Sequence, residues 1–180
     1  MDSITIRTGG QTGVDRAALD YALRHEIAYA GWCPRGGWAE DFREPPGVLA
    51  RYPRLTETPS KETWQRTAWN ARDSHLTLVL VRKGMPSEGT SFTLRCAELV
   101  FMRPCLVVEL DESSAVTVAQ DWLSQKIAGI GVRDLVLNIA GPRESEANGV
   151  YQQANAFLED LQLVSRMPRK QSRTNYTDGL

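Results

Sequence analysis

Ser3-Ile4-Thr5-Ile6-Arg7-Thr8-Gly9-Gly10-Gln11-Thr12-Gly13-Val14-Asp15 decides how the chain is read. An alternating, β-branched run breaks at two glycines and gives way to a helical stripe of Val14, Ala17, Ala18 and Tyr21. A strand that feeds a helix through a glycine turn is half of a βαβ unit, and the alternation recurs downstream. Further strands are expected at Ala28–Cys33, Leu55–Thr58, Leu76–Val81, Cys105–Leu110 and Val132–Ile139. Helices are expected at Ser60–Arg72, Thr90–Val100, Ser113–Ile127 and Ser145–Val164. Ser60 reads as an N-cap. Phe92, Cys96, Leu99 and Val100 read as one inward face, and Val150, Ala154, Phe157, Leu158 and Leu161 as another. Leu76–Val81 is nearly all apolar, the pattern of a strand covered on both sides. Strict alternation requires crossovers between parallel strands, so the expected class is a three-layer α/β sandwich around a mostly parallel sheet.

Composition bounds the function. With 180 residues, 42% apolar and 24% charged, the chain is long enough for a real core and is not disordered. Residues 1–165 form the expected single domain. Residues 166–180 read as a basic tail, with Arg166, Arg169, Lys170 and Arg173 against Asp178 and almost nothing apolar to order it. The whole chain balances 21 basic against 22 acidic side chains, so nucleic acid is not an expected partner of the body. No apolar run approaches a membrane span, and the N-terminus lacks a signal-peptide pattern, so no membrane partner and a cytoplasmic location are expected. Cys33, Cys96 and Cys105 are scattered and odd in number, and His25 and His75 lie far apart. Neither a disulfide framework nor a metal site is expected from that supply. His25 sits at a helix C-terminus, where charge complementarity explains it.

In an open parallel sheet, ligands bind beyond the carboxyl ends of the strands, where helix N-termini favour anions. Three junctions carry suitable residues: Gly9 to Asp15, Ser87-Glu88-Gly89-Thr90-Ser91, and Asn138-Ile139-Ala140-Gly141-Pro142-Arg143-Glu144-Ser145. The first is neither Gly-x-Gly-x-x-Gly nor a loop ending Gly-Lys-Ser/Thr, which disfavours hydride transfer and triphosphate hydrolysis. Gly31-Trp32-Cys33-Pro34-Arg35-Gly36-Gly37-Trp38-Ala39-Glu40-Asp41 is the other informative stretch. Its tryptophans either staple a long loop to the body or line a ring pocket. Arg35, between Pro34 and Gly36, has the planar fork that suits phosphate, whereas Cys33 reads as a small buried hydrophobe. Trp64 and Trp69, five apart, read as core or subunit contacts.

A set of separated motifs resembles the molybdenum cofactor carrier family, a circularly permuted branch of the SLOG superfamily. They are Gly9-Gly10-Gln11-Thr12-Gly13-Val14-Asp15, Gly31-Trp32-Cys33-Pro34-Arg35-Gly36, Thr56-Glu57-Thr58, Asn70-Ala71-Arg72-Asp73-Ser74, Glu88-Gly89-Thr90 and Asn138-Ile139-Ala140-Gly141-Pro142-Arg143. They stand in the family's order over about residues 3–164. The resemblance implies a Rossmann-like fold, a homo-oligomer (dimer or tetramer), and a pocket that in some members takes the molybdenum cofactor. It marks Gly9, Gly10, Gln11, Thr12, Gly13 and Asp15, then Pro34, Arg35, Gly36 and Glu57, as binding residues. It also marks Arg72, Gly89, Thr90, Ser91, Asn138, Gly141, Pro142 and Arg143. Arg35, Arg72 and Arg143 would meet anionic oxygens.

The cytokinin-activating phosphoribohydrolases of the same superfamily use an arginine and Pro-Gly-Gly-x-Gly-Thr-x-x-Glu. Arg72 and Gly89-Thr90 match, but Thr93 stands where that glutamate belongs. Threonine neither stabilises an oxocarbenium-like state nor activates water near neutral pH. The expected function is therefore a carrier, without catalytic residues, for a phosphorylated ligand: molybdenum cofactor or a related pterin or nucleotide-like molecule. The alternative is a nucleotide N-glycoside hydrolase with a rearranged acid, from Glu88 or Glu98. A protein-interaction module working through the basic tail is a third expectation.

Overall fold

A computed structural model describes residues 3–84 and 87–163. The tail at 166–180 and Val164 of the last expected helix lie outside these residues. The strands are β1 (Ser3–Arg7), β2 (Ala28–Cys33), β3 (Leu55–Glu57), β4 (Leu76–Val81), β5 (Cys105–Glu109) and β6 (Asp134–Ala140). The helices are α1 (Val14–Arg24), α2 (Thr63–Arg72), α3 (Glu88–Leu94), α4 (Ala115–Ile130) and α5 (Val150–Leu161). All pairings are parallel, in one six-stranded sheet ordered β3-β2-β1-β6-β4-β5. α1, α4 and α5 pack together as one layer, and α2, α3 and the π-helical turn after α3 form the other. This is the Rossmann-like α/β arrangement.

Strand order matters more for function than strand count. The chain runs outward from β1 through β2 to β3, crosses to β4 and β5, and returns to insert β6 between β1 and β4. The junctions after β1, β6 and β4 therefore follow three neighbouring strands. Every residue of β4 is buried, as its continuous apolar run requires. Ile6, Leu19, Leu78, Leu80, Leu135, Leu137, Ile139 and Leu158 are among the fully buried side chains of the main core.

Two expectations change at helix ends. α2 begins at Thr63, not Ser60: Ser60 Oγ accepts from the N–H of Glu62, and the Ser60 N–H donates to Gln65 Oε1, so both serve the turn before the helix. Leu99 and Val100 do not face inward. After Leu94 the helix widens into a π-helical segment, Arg95–Val100, which rotates both outward to 75% and 63% exposure while Cys96 and Ala97 stay buried. Ser87 caps α3, its Oγ accepting from the N–H of Thr90.

Buried polar clusters fix the loops. Asp20 on α1 accepts from the hydroxyls of Tyr52 (2.5 Å) and Tyr151 (2.8 Å) and from Arg51. Burial and the Asp20 charge push the Tyr52 phenol well above its ordinary range. Arg16, 6% exposed, clamps Asp41 with both terminal nitrogens at 2.8 and 3.0 Å and donates to the carbonyl of Gly10. Its guanidinium also lies against the rings of Phe42 and Tyr52.

Cys33 is fully buried at the end of β2, and burial, with the Glu57 charge adding to it, pushes its thiol up to about 11 from 9.0. The folded state thus holds a proton that the unfolded chain releases near pH 9, so this contribution is complete below that pH and is lost as pH rises toward 11. Two pH units correspond to roughly 2 to 3 kcal/mol. Urea melts of wild type should weaken over this window. Cys33→Ala should flatten the loss, and Cys33 should resist thiol reagents at pH 8. An unchanged slope in the variant would remove this explanation.

Candidate functional site

The three glycine junctions meet. Gln11 and Asp15 from the first, Ser87 and Gly89 from the second, and Gly141 and Arg143 from the third line one cavity of about 40 Å³, with Arg66, Thr67, Thr93 and Glu146. Thr67, Ser87 and Gly89 also line a cleft of about 570 Å³ between α2 and α3, walled by Trp64, Ser91, Phe92 and Arg95. Thr63 in turn joins that cleft to a third, of about 450 Å³, beside Arg35, Gly36, Trp38, Arg43 and Lys61. Together they trace a valley along the carboxyl end of the sheet, around the N-terminus of α2.

The charges in the small cavity are paired. Arg66 Nη1 lies 2.9 Å from Asp15 Oδ2, with side-chain exposures of 14% and 3%. The N–H of Gln11 also points to Asp15 Oδ2, at 3.3 Å. Arg143 lies 3.3 Å from Glu146, whose carboxylate also accepts from the Arg143 N–H. The Arg66 Nε is buried without a partner among the described residues. The guanidinium rests on Gly9, where a Cβ would stand 1.8 Å from Arg66 Nη1. At Gly141 a Cβ would meet the Leu80 carbonyl oxygen at 2.3 Å, so this close approach of junction to sheet requires glycine.

The first loop spends much of its polarity internally. The Thr12 N–H donates to Gln11 Oε1, and the Glu40 N–H donates to the same oxygen at 2.8 Å. The Thr12 hydroxyl donates to Glu40 and accepts from the N–H of Glu144. Ser145 Oγ donates to the other Glu40 oxygen at 2.6 Å. Burial alone would raise the Glu40 carboxyl, but the Ser145 and Thr12 bonds hold it below its ordinary range. The Trp38–Arg43 loop is thus a strap fastened by Glu40 to the first and third junctions and by Asp41 to Arg16.

The other expected binding residues lie as follows. The Val14 N–H donates to the Pro142 carbonyl, and Gly13 N-caps α1. Gly10 turns its open side toward Val48 and Leu55. Thr90 is buried and its hydroxyl bonds that of Ser87. Asn138 is buried in β6, its Nδ2 donating to Thr77 Oγ1 at 3.3 Å, with Oδ1 unpartnered among the described residues. Pro34 is buried at the end of β2, and Glu57 accepts from the Gly36 N–H, which orders the loop carrying Arg35. Arg72 is not brought to the cavity: it bonds Asp73 at 2.7 and 3.0 Å and stacks on Trp69. Asn70 and Asp73 in turn anchor Trp32 through its backbone and indole N–H. No group of His, Cys, Asp and Glu suited to a metal ion occurs among the described residues.

The sequence model of the circularly permutated YpsA SLOG family matches residues 6–162. The chain belongs to this family. A crystal structure of a protein named putative molybdenum carrier protein, from Syntrophus aciditrophicus SB, superposes with a TM-score of 0.74 at 36% identity. The match covers 88% of this chain and 94% of that one. No curated protein matches significantly. No helix among the described residues is long and apolar enough to cross a membrane.

For this member of the SLOG family, the sequence assigns no role to Arg66, Thr67 or Glu146, nor to the strap residues Arg16, Glu40 and Asp41. A signal for Arg66 was present. A helix that follows a parallel strand runs back antiparallel to the sheet, so its first turns lie near the strand carboxyl ends and its last turn lies at the other end. Arg66 stands early in α2 and Arg72 ends it. The strap had no such signal, because its contacts join residues far apart in sequence.

Proposed function

We propose that the chain is a carrier for a phosphorylated small molecule, the molybdenum cofactor or a related pterin or nucleotide-like ligand, which it holds without transforming. One observation carries this reading: three glycine junctions converge on a cavity with Arg66 and Arg143, and that cavity shares its wall with a larger aromatic cleft. The anionic group is assigned to the arginines, and the ring system to the space beside Trp64 and Phe92. At about 570 Å³ the cleft has the size of a small-molecule site. The solved relative's name supports the molybdenum assignment. Hydrolysis is not favoured, because Thr93, at the position of the relatives' glutamate, is buried and donates its hydroxyl to the Gly89 carbonyl at 2.9 Å. Free thiols at Cys33, Cys96 and Cys105 accord with a cytoplasmic location.

The test is to purify the protein gently from cells that make molybdenum cofactor, then measure molybdenum, pterin fluorescence and native mass. Co-purifying pterin or molybdenum, absent from an Arg66→Ala preparation, is the expected result. Protein free of both, which also fails to prolong the activity of purified cofactor, would reject the carrier reading. Release of free base from nucleoside monophosphates would favour the hydrolase.

A homo-oligomer is part of the proposal. Leu99, Val100 and Met102, close in sequence, are 75%, 63% and 85% exposed, and the neighbouring Arg95, Glu98 and Arg103 are exposed as well. Mixed charge around an apolar centre suits a symmetric contact with a second copy. Light scattering should give a multiple of 20.1 kDa, and Leu99→Glu with Met102→Glu should reduce it to the monomer. A monomeric wild type would sink this part.

A further inference from the structure

We propose that Asp15 is a built-in counter-anion that competes with a ligand's anionic group for Arg66, so that every anion must break the Asp15–Arg66 pair in order to bind. The inference rests on the carrier reading, in which Arg66 receives the ligand's anionic group. Asp15 already occupies the place a ligand oxygen would seek. It lies in the first turn of α1, 3% exposed, and its Oδ2 takes the Gln11 N–H and Arg66 Nη1. One observation marks the arrangement as unfinished: Arg66 Nε is buried without a partner among the described residues. Gln11, 5% exposed and lining the same cavity, has its amide oxygen fixed by two backbone N–H groups.

Turning Arg66 from Asp15 toward a ligand costs the Asp15 pair, and that cost is the same for every ligand, so it lowers all anion affinities by one factor. The attraction gained grows with ligand charge. Glu146 pairs Arg143 in the same way, so neither cavity arginine offers an uncompensated charge to a weak anion. The cavity of about 40 Å³ fits this latched state, with room for a few waters and not for a phosphate ester. A phosphate monoester, with its second charge, therefore opens the latch at a lower concentration than a monoanion does.

Methyl phosphate, a dianion at pH 8, and methyl sulfate, a monoanion of the same shape, are suitable probes, with affinities measured by calorimetry. Wild type should prefer the dianion by about tenfold or more. Asp15→Asn keeps an acceptor for the Gln11 N–H but removes the charge. It should bind both probes more tightly, each by roughly tenfold. If Asp15→Asn binds more weakly than wild type while Arg66→Ala abolishes binding, Asp15 supports Arg66 instead of competing for it, and this inference falls while the carrier reading stands. Asp15→Asn affinities equal to those of wild type for both probes, with matched circular dichroism, overturn it as well. If Arg66→Ala binds as wild type does, the anion assignment itself is lost.

Discussion

Arg66→Ala lowers the affinity for methyl phosphate about tenfold to a hundredfold, whereas Arg72→Ala changes it by less than about twofold. The first figure comes from charged hydrogen bonds in a site largely shielded from water, each worth about 1.5–3 kcal/mol. Arg66 is 14% exposed, stands in the cavity where the three junctions meet, and has an uncommitted Nε. Arg72 is 42% exposed, bonded to its neighbour Asp73 and stacked on Trp69, an arrangement that solvent largely screens. Removing Arg66 also strands Asp15, a buried carboxylate, so the variant should lose stability, and Asp15→Asn in the Arg66→Ala background should restore part of it. Calorimetry on variants with matched circular dichroism separates binding from folding. Equal losses for Arg66→Ala and Arg72→Ala would detach the anion site from this cavity.

Gly31→Ala costs about 3 kcal/mol or more and lowers the melting temperature by roughly 6–12 °C. Gly31 lies in β2 with φ of 154°, and a Cβ there would stand 1.9 Å from the carbonyl oxygen of Thr8. The obstacle is backbone at the end of β1, so no side-chain rotation relieves it. The two strands would have to part where Thr8 donates its N–H to Ala30, beside the first glycine loop. Gly129 is the contrasting case: it lies in α4 with nothing near its Cβ position, so alanine there should be neutral or stabilising by about 0.5–1 kcal/mol. Thermal melts of both variants check the pair, and similar melting temperatures would refute the steric account.

The sequence by itself determined the class of the fold and the kind of junction it contains. Alternating strand and helix periods compel parallel crossovers, and those periods are local properties, legible at Ser3–Thr8, at the all-apolar Leu76–Val81 and along the α5 stripe. Glycine and hydroxyl residues at the strand ends are likewise local, so the residues of the three junctions were legible too. Only the tertiary structure decided that these junctions adjoin. That depends on β6 returning between β1 and β4, and strand order is set by how whole faces pack, not by any single segment. The same holds for which arginine of α2 lines the cavity, Arg66 and not Arg72, which turns on the direction of α2 across the sheet. It holds again for the turning out of Leu99 and Val100 by the π-helical segment. Asp15 and Arg66 are 51 residues apart, and Thr12 and Glu40 are 28 apart. Polar groups so far apart in sequence pair only once the folded sheet has brought their elements together.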